Sequence, residues 1–286
     1  MTMADFAPAE NADQSDWLDS SIYSISLVIP TLNEAQNLPW VLAKVPRFVD
    51  EVVLVDGRST DDTVDVARMH YPEVVVVDEK RHGKGAALRA GFAAATGDVV
   101  IIIDADGSMD PDEIGRFVAL VHAGFDVVKG SRFMAGGGSS DITAFRKLGN
   151  KMLLRLVNGL YSASFTDLCY GFIAMRRECI PALGLASDGF EIETEITVRA
   201  ARAGLNVCEV PSFESPRRSG TSNLRSIRDG CRVLRTLLVK RFEAEPAPID
   251  LTDSTGLTNE VVHLDKDPVV IDLRATAEAK GLHASS

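Results

Sequence analysis

The sequence predicts an α/β fold in which a sheet of parallel strands is covered by helices on both faces. Short runs rich in β-branched residues alternate with helical stretches of about 10–15 residues from residue 24 to residue 130. These runs are apolar at successive positions, which is typical of strands buried on both faces. Polar residues follow the runs, and the carboxyl ends of strands are where open α/β sheets bind ligands.

Five strands are expected in this region: Ser24–Ile29, Glu51–Asp56, Val74–Asp78, Val99–Asp104 and Asp126–Lys129. Proline lacks a backbone N–H, so Pro30 is expected to end the first strand. The residues Thr31-Leu32-Asn33-Glu34 would then face a ligand crevice before a helix over Ala35–Val45. A nucleotide would lie at this edge of the sheet.

Two further segments follow the same logic. Asp56, at the end of the second strand, could accept hydrogen bonds from the N–H groups of a nucleotide base. Gly83-Lys84-Gly85 opens a helix and could approach a phosphate or ribose, although a glycine-capped helix start explains it equally well.

The sharpest motif is Asp104-Ala105-Asp106, directly after an apolar strand. Two carboxylates at the end of a buried strand are costly unless a cation compensates them. Carboxylate oxygens suit Mg²⁺ or Mn²⁺ shared with a nucleotide diphosphate, so Asp104 and Asp106 are the predicted metal ligands. The alternative is a solvated turn before a helix that starts near Pro111.

Composition bounds the remaining possibilities. The chain has 286 residues, is 45% hydrophobic and carries a net charge of −11, which argues against nucleic-acid binding. No apolar run is long enough to cross a bilayer, no secretory signal is seen, and the four cysteines lack metal-ligand spacing, so a cytoplasmic location is expected. Residues 1–22 and 243–286 are rich in acids and are predicted to be tails flanking one domain over 23–242.

Two internal stretches are basic, Thr143–Leu160 and Arg217–Arg241. Both carry apolar residues at helical spacing. A basic amphipathic helix suits an anionic membrane surface, which would place the protein on the inner face of the cytoplasmic membrane. A helix packed on the core with a solvated basic face explains the same pattern.

Together these pieces resemble glycosyltransferase family 2, of the GT-A fold, and within it the dolichyl- or polyprenyl-phosphate hexose synthases. The resemblance covers about Ser24 to Leu238 and rests on motifs that recur in order. They are Pro30–Glu34, Asp56–Thr63, Gly83–Gly85, Asp104–Asp106, Gly130–Phe133, Asp167–Phe172, Gly189–Glu195 and Arg217–Ser222.

The resemblance implies a mixed sheet, with a nucleotide-binding half (23–130) and an acceptor half (131–242). It implies roles for three groups of residues. The nucleotide would contact Pro30, Asn33, Glu34, Asp56, Gly83, Lys84, Asp104 and Ala105. Acceptor and sugar would contact Arg132, Asp167, Gly171, Phe172, Phe190 and Ser222. The catalytic candidates are Asp106, Glu193, Glu195 and Arg217, with Glu193 or Glu195 acting as a base only if the acceptor is a hydroxyl.

The implied reaction is metal-dependent, inverting transfer of a hexose from a donor of the GDP-mannose or UDP-glucose type to a polyprenyl phosphate. Ser108, Glu193 and Asn223 depart from the residues usual among the mannosyl members, which leaves the sugar open. Three alternatives remain. They are the same fold acting on a soluble hydroxyl acceptor such as a glycerate or a secondary-metabolite sugar, a nucleotidyltransferase, and a non-catalytic scaffold.

Overall fold

The computed structural model describes residues 23–221, 226–243 and 262–263. Its strands are β1 Ile25–Thr31, β2 Glu51–Asp56, β3 Val75–Asp78, β4 Val99–Ile102, β5 Val127–Ser131, β6 Gly138–Ser139, β7 Ile173–Arg176, β8 Val207–Pro211, β9 Phe213–Glu214 and β10 Val262–His263. Its α-helices are α1 Leu38–Ala43, α2 Thr63–His70, α3 Lys84–Ala94, α4 Ile114–His122, α5 Ala144–Tyr161, α6 Ile180–Leu183, α7 Ile192–Arg202 and α8 Ser226–Phe242.

The central sheet has eight strands among the described residues, in the order β10-β8-β5-β7-β4-β1-β2-β3. All neighbours are parallel except β7, which runs antiparallel between β4 and β5. The mixed sheet implied by the family resemblance is therefore confirmed, whereas the apolar strand pattern by itself predicted a parallel one. Strands β6 and β9 form a separate two-stranded sheet.

Side chains alternate between two cores because successive residues of a strand point to opposite faces. On β1, Leu27 and Ile29 pack with helices α1 and α4 on one face. Val28 packs with α3 and α7 on the other. Both faces of the sheet are thus covered by helices, as predicted.

The first strand is longer than expected. Pro30 pairs with Val55 and Thr31 with Asp56, so the proline does not end the strand. Its fixed φ is compatible with extended backbone and it removes only one donor. The first helix is shorter than predicted and begins at Leu38, with Pro39 in its first turn.

Most of the predicted tails lies outside the described residues, as does Ser222. Two residues of the predicted C-terminal tail, Val262 and His263, form β10 at the edge of the sheet. The predicted basic helix over Thr143–Leu160 is confirmed as α5, with the Thr143 hydroxyl accepting from the Arg146 N–H at 3.2 Å. The second basic helix begins at Ser226, so Arg217 lies in a loop.

Phe172 was expected to line the acceptor cleft, and this prediction is wrong. Its ring is fully buried and stacks on Phe117 with centroids 4.1 Å apart. The residue immediately precedes β7, in the middle of the sheet, where its ring fills the core beneath α4.

We predict that Phe172→Ala lowers the free energy of unfolding by about 3–5 kcal/mol, because it leaves a cavity in a packed core. Phe145→Ala, at a 62% exposed position on α5, serves as the matched control and should change stability by less than about 0.5 kcal/mol. Urea denaturation of both variants measures the difference. Equal stabilities would show that Phe172 does not support the core.

Candidate active site

A cluster of charged side chains lies at the carboxyl ends of β1 and β4. We define the catalytic cluster as Glu34, Lys84, Asp104, Asp106, Glu193 and Arg217. The acids come from the loop after β1, the loop after β4 and the first turn of α7. Lys84 is the first residue of α3, and Arg217 lies in the loop after β9. These residues are up to 183 positions apart in sequence.

Lys84 links two of the carboxylates. Its Nζ lies 2.5 Å from Asp104 Oδ1 and 2.6 Å from Glu193 Oε1. Its side chain is only 8% exposed. Burial opposes the charge, but Asp104 and Glu193 outweigh this and raise the pKa of Lys84, so it stays a cation.

Arg217 links the other two carboxylates. Its Nη1 lies 2.8 Å from Glu34 Oε1, and its Nη2 lies 3.2 Å from Asp106 Oδ2. Glu34 is held in turn by the Asn37 amide, which donates to its second oxygen at 2.5 Å. The loop after β1 is thereby joined to the Arg217 loop.

The surroundings of Asp104 disfavour its negative charge despite the contact with Lys84. Burial raises the pKa of Asp104 to about 6, and Asp106 and Glu193 add to the rise while Lys84 opposes it. Four carboxylates face two cations, so the cluster carries excess negative charge. A bound cation would relieve this imbalance.

The loop that carries Asp106 is braced by residues that the sequence did not single out. The Arg218 N–H donates to the Asp106 carbonyl at 3.1 Å, and the Arg218 guanidinium lies over the Trp40 ring at 4.0 Å. Gly107 (φ +74°) leaves room for that side chain. No sequence pattern links Trp40 to Arg218, so only the structure reveals this contact.

Several residues that are predicted to contact the nucleotide form hydrogen bonds within the loops. Asp56 Oδ2 accepts from the Arg58 and Ser59 N–H groups, both at 3.1 Å. Asn33 Oδ1 accepts from the Thr60 N–H at 2.7 Å. The Ala105 side chain is buried in the core. These residues shape the edge of the sheet where the nucleotide is expected, and Asp56 is already used by its own turn.

The amino end of α3 is covered by protein rather than open to a phosphate. The Gly85 and Ala86 N–H groups donate to the Asp188 carbonyl at 2.8 and 3.2 Å. A side chain at Gly83, whose φ is +112°, would collide with that carbonyl. The glycines therefore let the loop before α7 pack on the start of α3.

Two other candidates, Arg132 and Asp167, form ion pairs within the fold. Arg132 forms a two-pronged ion pair with Asp167 at 2.7 and 3.0 Å and donates to both oxygens of Glu214 at 3.1 Å, so its guanidinium is used within the fold. Burial would raise the pKa of Asp167, but Arg132 outweighs it and lowers that pKa. Both side chains serve the fold through this ion pair, and their contact with sugar or acceptor stays a prediction.

Glu195 lies outside the catalytic cluster. Residues two apart on a helix do not face each other, so Glu195 points away from Glu193. Its carboxylate is fully buried, accepts from the Ser187 N–H at 2.7 Å and pairs with Lys240 at 2.9 Å. Burial would raise its pKa, but Lys240 and Ser187 lower it. Glu193 remains as the candidate base.

A cavity of about 760 Å³ adjoins the catalytic cluster at Lys84. One wall is the loop from Ala186 to Glu191, which includes the predicted acceptor residue Phe190. The facing wall is α8. The catalytic cluster and this cavity form the candidate site.

The family model described as glycosyl transferase family 2 matches residues 26–184. The chain belongs to glycosyltransferase family 2. Membership of this family supports glycosyl transfer over the nucleotidyltransferase and scaffold alternatives, and the chain is a glycosyltransferase of the GT-A fold. No helix among residues 23–221 and 226–243 is sufficiently long and apolar to cross a membrane.

Three known proteins illustrate the relationship. An uncharacterized glycosyltransferase of Mycobacterium tuberculosis is 37% identical over 201 residues, covering 70% of this chain and 89% of the relative. The polyprenol monophosphomannose synthase of Mycolicibacterium smegmatis is 32% identical over 211 residues, covering 69% and 80%. The structure of M. tuberculosis glucosyl-3-phosphoglycerate synthase with Mn²⁺, UDP-glucose and phosphoglyceric acid is 26% identical, covers 82% of this chain and 86% of that chain, and has a TM-score of 0.60.

A substitution at Gly171 tests whether the catalytic cluster depends on the contact between Lys84 and Glu193. A Cβ there would lie 2.5 Å from Glu193 Oε1 and 2.8 Å from Lys84 Nζ. We predict that Gly171→Ala lowers kcat about 100-fold, because displacements of about 1 Å can have effects of that size. Gly159→Ala is the control, since its Cβ would meet nothing within 4 Å. Turnover of a nucleotide sugar measures both, and equal rates would contradict the proposed importance of the Lys84–Glu193 pair.

Proposed function

We propose that this glycosyltransferase moves a hexose from a nucleotide diphosphate sugar to a polyprenyl phosphate, with inversion at the anomeric carbon and with Mg²⁺ or Mn²⁺. The catalytic cluster carries the proposal. It contains four carboxylates and two cations at the sheet edge where α/β folds bind nucleotides. The 32% identity to a polyprenol monophosphomannose synthase supports polyprenyl phosphate as the acceptor.

The donor set fits a divalent cation. Asp104 and Asp106 are partly exposed, with 28% and 16% of their side chains accessible. No three acidic, histidine or cysteine side chains within the described ranges come together in a way that could hold a metal ion. Mg²⁺ typically uses one or two protein carboxylates and completes its shell with substrate phosphates and water. Such an ion, when bound, supplies Lewis-acid stabilisation of the leaving diphosphate.

Residues of the chain would stabilise the leaving group and position the acceptor. Negative charge grows on the diphosphate as the anomeric bond breaks. The Arg217 guanidinium, already beside Asp106, would donate charge-assisted hydrogen bonds to it. A phosphate acceptor is itself an anion, so it needs positioning rather than a base. Lys84 would hold Glu193 in place at the acceptor side of the cluster.

A lipid acceptor also requires contact with a membrane, and α5 and α8 offer a suitable surface. We define the basic apolar surface by the exposed side chains Phe145, Leu148 and Met152 on α5 and Ile227 and Phe242 on α8. Helix α5 carries Arg146, Lys147, Lys151 and Arg155 and no acid. Exposed apolar side chains beside bases suit the headgroup region of an anionic bilayer.

A soluble acceptor is the second candidate. The resemblance to glucosyl-3-phosphoglycerate synthase, which was solved with UDP-glucose and phosphoglyceric acid, favours it. A hydroxyl acceptor must lose a proton, and Glu193 would then be the base. The two candidates differ in acceptor but share the donor site.

The reaction is tested by supplying radiolabelled UDP-glucose or GDP-mannose with undecaprenyl phosphate and Mn²⁺. We predict a lipid-linked product that requires the metal, and at least a 100-fold lower kcat for Asp106→Asn, because removing one electrostatic contact to the transition state typically costs about 10²–10³. Asp112→Asn, at a 68% exposed carboxylate, is the control. A product formed only with 3-phosphoglycerate would select the second candidate.

Membrane association is tested separately with vesicles of phosphatidylglycerol and phosphatidylcholine. We predict that Phe145→Asp with Met152→Asp weakens binding about tenfold or more, since burying each side chain contributes on the order of 1 kcal/mol. Met69→Asp, at a 76% exposed position on α2, is the control. Binding should also weaken as salt rises. If the double variant binds vesicles as tightly as the wild-type chain, α5 does not contact the membrane.

A further inference from the structure

We infer that the cavity beside the catalytic cluster binds the phosphate group of the acceptor through arginines of α8. The inference rests on the proposed function and specifies which residues receive the acceptor. Its ligand class is a phosphate monoester. Polyprenyl phosphate and phosphoglyceric acid, the acceptors of the two candidate reactions, share this group, so the inference covers both.

The cavity is built by one face of α8. Arg228, Arg232 and Arg235 are spaced by four and three residues, which places them on the same side of the helix, and all three line the cavity. The opposite wall contains Gly83 and Lys84 at the start of α3. Lys84 belongs to both the cavity and the catalytic cluster, and it is the residue through which the two adjoin.

Four acids line the cavity, and two of them, Asp188 and Glu243, are paired with bases other than these arginines. Asp188 pairs with Arg89 at 2.5 Å. Glu243 pairs with Arg199 at 2.5 Å and with Lys240 at 3.0 Å. The charges of these two acids are therefore compensated within the fold, which leaves Asp229 and Glu191 as the acids that can offset the charge of the three arginines.

The arginines themselves remain available. Within the described part of the chain, Arg228 and Arg235 form no ion pair, and Arg232 has only the Asp229 carboxylate at 3.8 Å. Arginine presents a planar fork of donors that matches a phosphate group. Three such side chains on one face of α8 form a site for an anion of higher charge than a carboxylate.

The loop of residues 186–191, which lines the cavity together with α8, leaves space for such a ligand. A Cβ on Gly189 would lie 2.8 Å from Arg232 Nη1 and 2.5 Å from Glu191 Oε2, so the glycine leaves space between these two groups. Glu191 Oε2 is buried, and no described residue donates to it. A water or hydroxyl accompanying the phosphate would satisfy this oxygen.

Calorimetric titration of the full chain tests the site directly. The probes are farnesyl phosphate in a neutral detergent, which represents a lipid acceptor, and 3-phosphoglycerate, which represents a soluble one. We expect Arg232→Gln and the double variant Arg228→Gln with Arg235→Gln each to raise the Kd of the bound probe about tenfold or more, the effect of losing a charge-assisted hydrogen bond. Arg68→Gln on α2 is the charge-matched control, and Arg232→Lys should restore part of the affinity.

Kinetics supply the second measurement. The same variants should raise the KM of the acceptor while the KM of the donor changes less than twofold, a split that general misfolding would not produce. Wild-type affinity in both variants, or no binding of either probe to the wild-type chain, overturns the inference. A wild-type chain that binds a probe through these arginines and yet forms no glycosylated product overturns the proposed function and leaves the phosphate site standing.

Discussion

The constraint on which the site depends is charge balance at the carboxyl ends of β1 and β4. Four carboxylates converge there and two cations oppose them, with Lys84 placed between Asp104 and Glu193. Burying this set is tolerable only because each acid contacts a base or a backbone donor. The remaining negative charge supports the proposal that the cluster binds a cation. Gly171 keeps the space beside Lys84 and Glu193 open.

A second buried charge network links strands in the second half of the chain. Arg132 joins Asp167 to Glu214, while Lys129 and Glu209 lie on neighbouring strands in register with each other. Burial raises the pKa of Glu209, and Lys129 opposes the rise. This network connects β5, β8 and the segment before β7. Charged residues in a motif can thus serve the fold as well as the substrate.

The two candidate acceptors place different demands on the same surfaces. A polyprenyl phosphate needs both the basic apolar surface of α5 and α8 and a phosphate site near Lys84. A soluble phosphate ester needs only the second. Helix α8 contributes to both features, because its apolar residues Ile227 and Phe242 are exposed while Arg228, Arg232 and Arg235 line the cavity. In the proposed scheme, the surfaces of α5 and α8 therefore distinguish the two acceptors, while the donor site is the same for both.

The strand pattern alone determined the α/β class, the five strands of the nucleotide half and the position of Asp104 and Asp106, because these depend on local periodicity and on the residues that directly follow a strand. Family resemblance added the mixed sheet. Only the tertiary structure decided that Lys84 pairs with Glu193, that Phe172 belongs to the core and that Glu195 faces Lys240. Those outcomes depend on contacts between segments far apart in sequence and on which side of a helix or strand a residue faces once the chain is packed.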